Sequence, residues 1–342
     1  MKIPEGQNSI PALIDAHHEA KQSGPRPHLG ASLLGHECDR WLWLSFRWAV
    51  QEKFQGRILR LFRRGHLEEK QIIDDLRAIG IYIQNTGSGQ SRVDFGNHVS
   101  GSIDGIITGG VPEAPKKKHV AEFKTHGKKS FDELEKLGVE KAKPQHWAQM
   151  QAYMLGTEID RALYVAVCKD DDRLHVERVK FDEDAAQKII DRGHRIVSSE
   201  RMPEPLSADP SWYQCKFCAA HSFCHKTHLT EHVNCRTCAH STPKSDSTWH
   251  CARYDADNIP TDYQRKGCPA HVLHPDLVPW QMLDSENQWE AMYEIDGKQV
   301  RNGEGDAFTF SSIELLSNLE QCLNPNETMM DVRAAFDAEI VG

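Results

Sequence analysis

The chain has 342 residues, 39% of them apolar, which is enough for a real core in one large domain or two smaller ones. Its formal charge of -9 argues against a polyanionic partner, but the charge is uneven: residues 273–342 hold 14 acidic and 3 basic side chains, whereas the 272 residues before them hold 38 basic and 36 acidic. No run of about 18 apolar residues exists, which excludes a membrane-spanning helix, and MKIPEGQNSIPALIDAHHEAK lacks the apolar stretch of a secretion signal, so the cytoplasm is the expected location.

In chain order, residues 6–23 read as a short helix and 31–50 as a dense aromatic segment containing Cys38. Leu61, Phe62, Ile72, Ile73 and Leu76 give the buried stripe of a helix over 61–76. Between them, Arg40, Arg47, Lys53, Arg57, Arg60, Arg63 and Arg64 suit either a DNA-binding patch or a solvated helix surface. Strands are expected at 81–83, 91–95, 98–107 and 119–125, the last two separated by a turn containing Gly109, Gly110, Pro112 and Pro115. A mixed-charge segment then leads to a helix over 143–155 closed by Gly156. A hairpin pairs 161–168 with 173–181, and a helix over 182–199 ends this part. Strands between flanking helices imply an α/β fold with a central mixed sheet. Residues 212–274 are rich in Cys and His and poor in aliphatics, so ligated metal would have to supply cohesion there. A hairpin around Asp296-Gly297 and helices over 312–322 and 328–338 follow.

Asp104 sits in HVSGSIDGII, and Glu122 and Lys124 sit in HVAEFKTH. A strand repeats its faces every two residues, so Glu122 and Lys124 share one face. Carboxylates that bind Mg²⁺ or Mn²⁺, beside a lysine that positions water or meets developing charge, suit phosphodiester hydrolysis. The same residues also suit a cross-strand salt bridge and a turn aspartate before Gly105.

Gly101-x-x-Asp104 followed by Glu122-Phe123-Lys124 resembles the motif pair of the PD-(D/E)XK nuclease superfamily, and most closely its RecB-like branch of phage recombination exonucleases and CRISPR-associated adaptation nucleases. The resemblance implies a restriction-endonuclease-like core in which Asp104 and Glu122 bind metal and Lys124 assists the water. In RGHLEE it implies a further ligand at Glu69, with His66 one helical turn earlier as the alternative. In QHWAQMQAYML it implies that Gln149 braces the site or touches DNA and that Tyr153 approaches the phosphate backbone. The resemblance spans about residues 31–224.

Eight of the ten cysteines fall into two spaced sets, which favours metal or cluster ligation over disulfides in a reducing compartment. Cys38, Cys215, Cys218 and Cys224 can hold tetrahedral zinc or a cubane cluster, and ligation physics does not choose between them. The resemblance to the iron-sulfur branch implies a [4Fe-4S] cluster. Cys235, Cys238, Cys251 and Cys268 form a second set with zinc-knuckle spacing at its first pair, and His240, His250 and His271 are possible substitutes. Arg236, Lys244, Arg253, Arg265 and Lys266 with Trp249, Tyr254 and Tyr263 are compatible with stacking on single-stranded DNA, and equally with a small metal-held fold. Cys168 and Cys322 read as buried apolar residues.

The sequence therefore leads to three parts: a RecB-like nuclease domain with an iron-sulfur staple over 1–228, a zinc-binding module over 229–274, and an acidic extension over 275–342. The expected activity is a Mg²⁺- or Mn²⁺-dependent deoxyribonuclease, an exonuclease in recombination, repair or phage replication. DNA is the expected partner, with a single-strand annealing protein or a helicase as a further one, since the chain has no phosphate-binding GxxxxGK[ST] loop of its own. A noncatalytic DNA-binding or assembly protein on the same scaffold is the alternative.

Overall fold

The computed structural model describes residues 9–285, 287–336 and 338–340. The chain gathers into two compact units: residues 1–36 with 52–195, and residues 37–51 with 196–342. This division differs from the three parts expected from sequence, because residues 37–51 and 196–228 join the second unit.

The helix expected over 6–23 is α1 (Ile10–Glu19), capped by the Ser9 side chain; residues 6–8 lie outside the described residues. Strand β1 (Leu29–Gly30) and helix α2 (Asp39–Phe46) follow, then α3 (Gly56–Ala78), which starts earlier than the apolar stripe indicated. The strands expected at 81–83 and 91–95 are β2 (Ile83–Gln84) and β3 (Arg92–Asp94). The single strand expected over 98–107 is broken into β4 (Val99–Ser102) and β5 (Gly105–Ile107), which belong to different sheets. Strand β6 (His119–His126) is followed by two helices, α4 (Lys128–Ala142) and α5 (Pro144–Thr157), of which the sequence indicated only the second. Helix α5 runs through Gly156 and ends at a left-handed Glu158. Gly156 is there for closeness, since a Cβ would strike the side chains of Val93 and Phe95. Strands β7 (Arg161–Cys168) and β8 (Leu174–Lys180) form the expected hairpin, and α6 (Glu183–Ser198) the expected helix.

The main sheet of the first unit has the order β2-β5-β6-β7-β8, antiparallel except for the parallel β6–β7 pair. A parallel step needs a crossover, and α4 with α5 supplies it. On one face Ala121, Phe123, Leu163, Val165 and Val167 pack with Ile72 and Ile73 of α3; α4 and α5 pack with β6 and β7. A smaller sheet has the order β1-β4-β3. This is the expected α/β arrangement of a central mixed sheet flanked by helices.

The second unit contains α2, α7 (Tyr213–Lys216), the two-stranded ribbon β9 (Ser241–Pro243) with β10 (Trp249–Cys251), and α8 (Thr261–Lys266). A four-stranded sheet follows, in the order β11 (Gln281–Leu283), β12 (Glu290–Ile295), β13 (Lys298–Gly303) and β14 (Thr309–Phe310). The helix expected over 312–322 is two, α9 (Ser312–Ser317) and α10 (Leu319–Leu323), before α11 (Glu327–Phe336). The acidic end, with its expected hairpin of β12 and β13, is a folded layer around Val272, Leu273, Tyr293, Ile295, Val300 and Phe310. Among the described residues no helix is long and apolar enough to cross a membrane.

Candidate active site

Strand β6 presents Phe123 to the α3 side of the sheet and Glu122 with Lys124 to the other, as the two-residue period requires. Glu122 is fully buried; its Oε1 takes the Lys124 ammonium and its Oε2 accepts a hydrogen bond from Gln149 Nε2 at 3.1 Å. Asp104 occupies the break between β4 and β5, and its Oδ2 accepts the Phe123 amide at 2.9 Å. The carboxylate thereby ties the break to β6, which explains why one apolar stretch becomes two strands.

From α3, Glu69 reaches the same place. Gln90 Nε2 donates to Glu69 Oε1 at 3.1 Å and lies 3.5 Å from Asp104 Oδ1, so one amide spans two carboxylates. The sequence reading missed Gln90, which lies in a Gly- and Ser-rich turn before β3. His66 is exposed and close enough for its charge to be felt by Glu69, with no bond into the cluster among those observed.

On α5, Gln149 and Tyr153 share a face, and Gln149 Nε2 also lies 3.4 Å from the Tyr153 hydroxyl. Tyr153 is only 2% exposed. Its phenol is packed beside Gln149 and Gly101. Gly101 makes room for it, since a Cβ there would come within 2.7 Å of the Tyr153 hydroxyl and 2.9 Å of Ala31 Cβ.

Burial pushes the Glu122 carboxyl up to about 7, against the opposing pull of Lys124 and with a further push from Asp104. Burial also raises Glu69, again with Asp104 adding to it. For Lys124, burial acts to lower the pKa, but Glu122 and Asp104 outweigh it and hold the ammonium charged. Three mutually repelling carboxylates and one lysine thus share a poorly hydrated pocket. As oriented, no three His, Cys, Asp or Glu among the described residues stand ready to hold a metal ion. The donors are turned onto Lys124, Gln149, Gln90 and the Phe123 amide instead. An all-oxygen set in which Asp104 adds to the rise of both Glu122 and Glu69 fits a hard divalent cation such as Mg²⁺ or Mn²⁺.

A second polar group continues along the same face of β6. Tyr164, registered opposite Glu122, has its hydroxyl 2.8 Å from His126 Nε2 and 2.9 Å from His146 Nδ1, and Ser130 Oγ lies 3.3 Å from His126 Nδ1. Burial, with nearby Lys143 and Lys124, lowers His126 to about 4 and, with Lys124 and His126, lowers His146 to about 3.

Cys38, Cys215, Cys218 and Cys224 all lie in the second unit. Cys38 caps α2 and its Sγ accepts the Trp41 amide at 3.4 Å; Cys218 Sγ accepts the Ala220 amide at 3.4 Å. Burial raises Cys215, Cys218 and Cys224, and each of the three also feels Cys38. Cys168 and Cys322 are buried, as expected.

The proposed basic and aromatic surfaces are partly core. Arg47 is 2% exposed and packs over Trp43, and Arg40 Nε donates to Pro203 O at 2.7 Å. Arg60 is paired with Asp15, leaving Lys53, Arg57, Arg63 and Arg64 exposed. Arg236 stacks 3.8 Å from the Trp48 ring centroid, donates to Gln264 Oε1 at 2.8 Å, and is buried together with Trp249. Neither Arg236 nor Trp249 is available for stacking on DNA, whereas Tyr254 and Tyr263 are exposed.

No family model and no curated protein matches this chain. Among solved structures, it is similar to the protein SSO0001, with 14% identity and a TM-score of 0.40 over 64% of this chain and 98% of that one. It is also similar to LHK-Exo in complex with dAMP, with 16% identity and a TM-score of 0.36 over 54% of this chain and 89% of that one. LHK-Exo, described as an alkaline exonuclease from Laribacter hongkongensis, matches in a further structure with 16% identity and a TM-score of 0.33, over 53% of this chain and 90% of that one.

Proposed function

We propose that the chain is a divalent-metal-dependent deoxyribonuclease that acts from DNA ends, with Asp104, Glu122 and Glu69 as metal ligands and Lys124 as the catalytic ammonium group. The reading is carried by the gathering of three carboxylates and a lysine from a strand break, a strand and a helix, around bonds made through Gln90 and Gln149. Mg²⁺ or Mn²⁺ bound there supplies an activated water and neutralises charge on the scissile phosphate. Lys124 stays protonated through Glu122 and Asp104, and with 27% of its side chain exposed it can still reach an oxygen of the substrate. Gln149 fixes the Glu122 rotamer, and Tyr153 holds Gln149 in turn. In this reading Tyr153 is a positioning residue, and His66 is the outer alternative to Glu69.

The family resemblance assigns a [4Fe-4S] cluster to Cys38, Cys215, Cys218 and Cys224, and the support from this chain is mutual proximity and amide groups directed at sulfur. A brown colour with visible absorbance in anaerobically purified protein, lost in Cys38→Ser, is the expected result; a colourless, iron-free protein rejects the cluster.

The activity is tested with end-labelled single- and double-stranded DNA in Mg²⁺ or Mn²⁺. Asp104→Asn and Glu122→Gln, which keep shape, are expected to reduce cleavage at least about a hundredfold while circular dichroism stays that of the wild type. Undiminished cleavage by either folded variant rejects the site, and a wild-type protein that binds DNA without cutting it supports the noncatalytic alternative.

A further inference from the structure

The second cysteine set has a feature that the nuclease reading does not require. Cys235, Cys238, Cys251 and Cys268 line one small enclosed cavity of about 20 Å³, although they come from a 3₁₀ turn at Cys235–Thr237, the end of β10 and the turn after α8. We propose that these four thiolates bind one tetrahedral Zn²⁺ ion, which organises residues 235–268 and stands independently of the nuclease activity.

The local chemistry favours a metal. All four are free thiols, and a donor set of sulfur alone selects a soft or borderline ion. Cys238 Sγ accepts the amides of His240 and Val272, each at 3.5 Å, and Cys268 accepts that of Ala270. Amides two residues on, directed at sulfur, stabilise thiolate charge and give the turn of a zinc knuckle around each of these cysteines. As oriented, the sulfurs do not converge on one point, and Cys235 Sγ lies 3.8 Å from Tyr263 O. Rotation between staggered χ1 wells re-aims a thiol without moving the backbone.

Beyond the packing of Arg236 with Trp48 and Trp249, the segment's own backbone pairing is short. A three-residue, two-stranded ribbon is marginal alone, and α8 buries only Gln264. The histidine substitutes are mostly committed elsewhere. His271 bonds Thr237 Oγ1 at 3.1 Å and Ser312 Oγ at 2.7 Å through its two ring nitrogens, and His250 Nδ1 bonds Asp257 at 3.0 Å. His240 lines the cavity with a buried Nε2 that has no hydrogen-bond partner, and it is therefore the competing fourth donor.

The test uses the full chain carrying Cys38→Ser, Cys215→Ser, Cys218→Ser and Cys224→Ser, so that the first cysteine set does not contribute. Elemental analysis is expected to find one zinc per chain, and replacement by Co²⁺ is expected to give the intense visible bands and sulfur-to-cobalt charge transfer of a tetrahedral four-thiolate site. Adding Cys251→Ser should remove the zinc, and adding His240→Gln should leave it in place. Because Cys251→Ser can unfold the segment, the cobalt spectrum of the parent chain is the second reading. A metal-free parent chain, weak octahedral cobalt bands, zinc retained in Cys251→Ser, or zinc lost in His240→Gln each overturns the four-thiolate assignment. None of these readings depends on DNA cleavage, so the zinc site and the nuclease can fail separately.

Discussion

Tyr153 is buried and closely packed, and Gly101 shows how. A methyl group at position 101 would have to displace the phenol or Ala31, because the nearest atoms would be 2.7 to 2.9 Å away. Gly101→Ala is therefore expected to destabilise the first unit by about 1–3 kcal/mol and to lower cleavage, since Gln149 loses its hydrogen-bonding neighbour. Tyr153→Phe keeps the packing and loses only the hydroxyl, so it should retain stability while lowering kcat more than it raises KM. Equal stability of Gly101→Ala and wild type in thermal melts would refute the packing account. At this scale, the shared face of Glu122 and Lys124 was legible because a strand's two-residue period is local. Gln90 was not, because a glutamine in a turn carries no pattern and gains meaning only when α3 brings Glu69 beside it. The burial of Tyr153 was equally unreadable: helical spacing gives the face, and the depth of that face depends on what packs over it.

At the scale of elements, β6 joins two polar clusters, the carboxylate-lysine group and the His126-His146-Tyr164 group. Both histidines are depressed below their unfolded value of 6.5, so folding favours their neutral forms. The stabilisation is fully present above pH 6.5 and is lost as pH falls from there toward about 4 for His126 and about 3 for His146. The melting temperature is expected to decline across that window, and His146→Gln, which cannot be protonated, should flatten the decline even if it lowers the starting value. An unchanged pH slope in that variant would remove His146 as the source. The hairpin of β7 and β8 was readable from its alternation and acidic turn. Helix α4 was not, because it is mostly charged, buries only Phe131, Leu134 and Val139, and is interrupted by Gly138 at φ 74°. The continuous strand expected over 98–107 failed for a different reason, since Asp104 bonds a neighbouring strand's amide and apolar alternation on both sides conceals the break.

For the whole molecule, the acidic end carries 14 carboxylates, and its intervening apolar residues close a core around Tyr293 and Phe310. Arg333 fastens α11 to that core. It pairs with Glu314, donates to Thr309 O at 2.9 Å and Ala307 O at 3.0 Å, and lies 4.8 Å from the Phe310 ring centroid. Breaking a buried pair leaves one charge uncompensated, so Arg333→Ala is expected to cost about 3–5 kcal/mol. The two units have separate apolar clusters, so equilibrium unfolding need not follow a single two-state transition. Seven of the eight tryptophans belong to the second unit and only Trp147 to the first, so fluorescence reports chiefly on the second unit and far-ultraviolet circular dichroism on both. In urea, Arg333→Ala should move the fluorescence transition down by more than about 1 M and leave a second dichroism component in place. Gly101→Ala should move that second component and spare the fluorescence transition. Superimposable single transitions by both probes, shifted equally by both substitutions, would mean that the units unfold as one cooperative body.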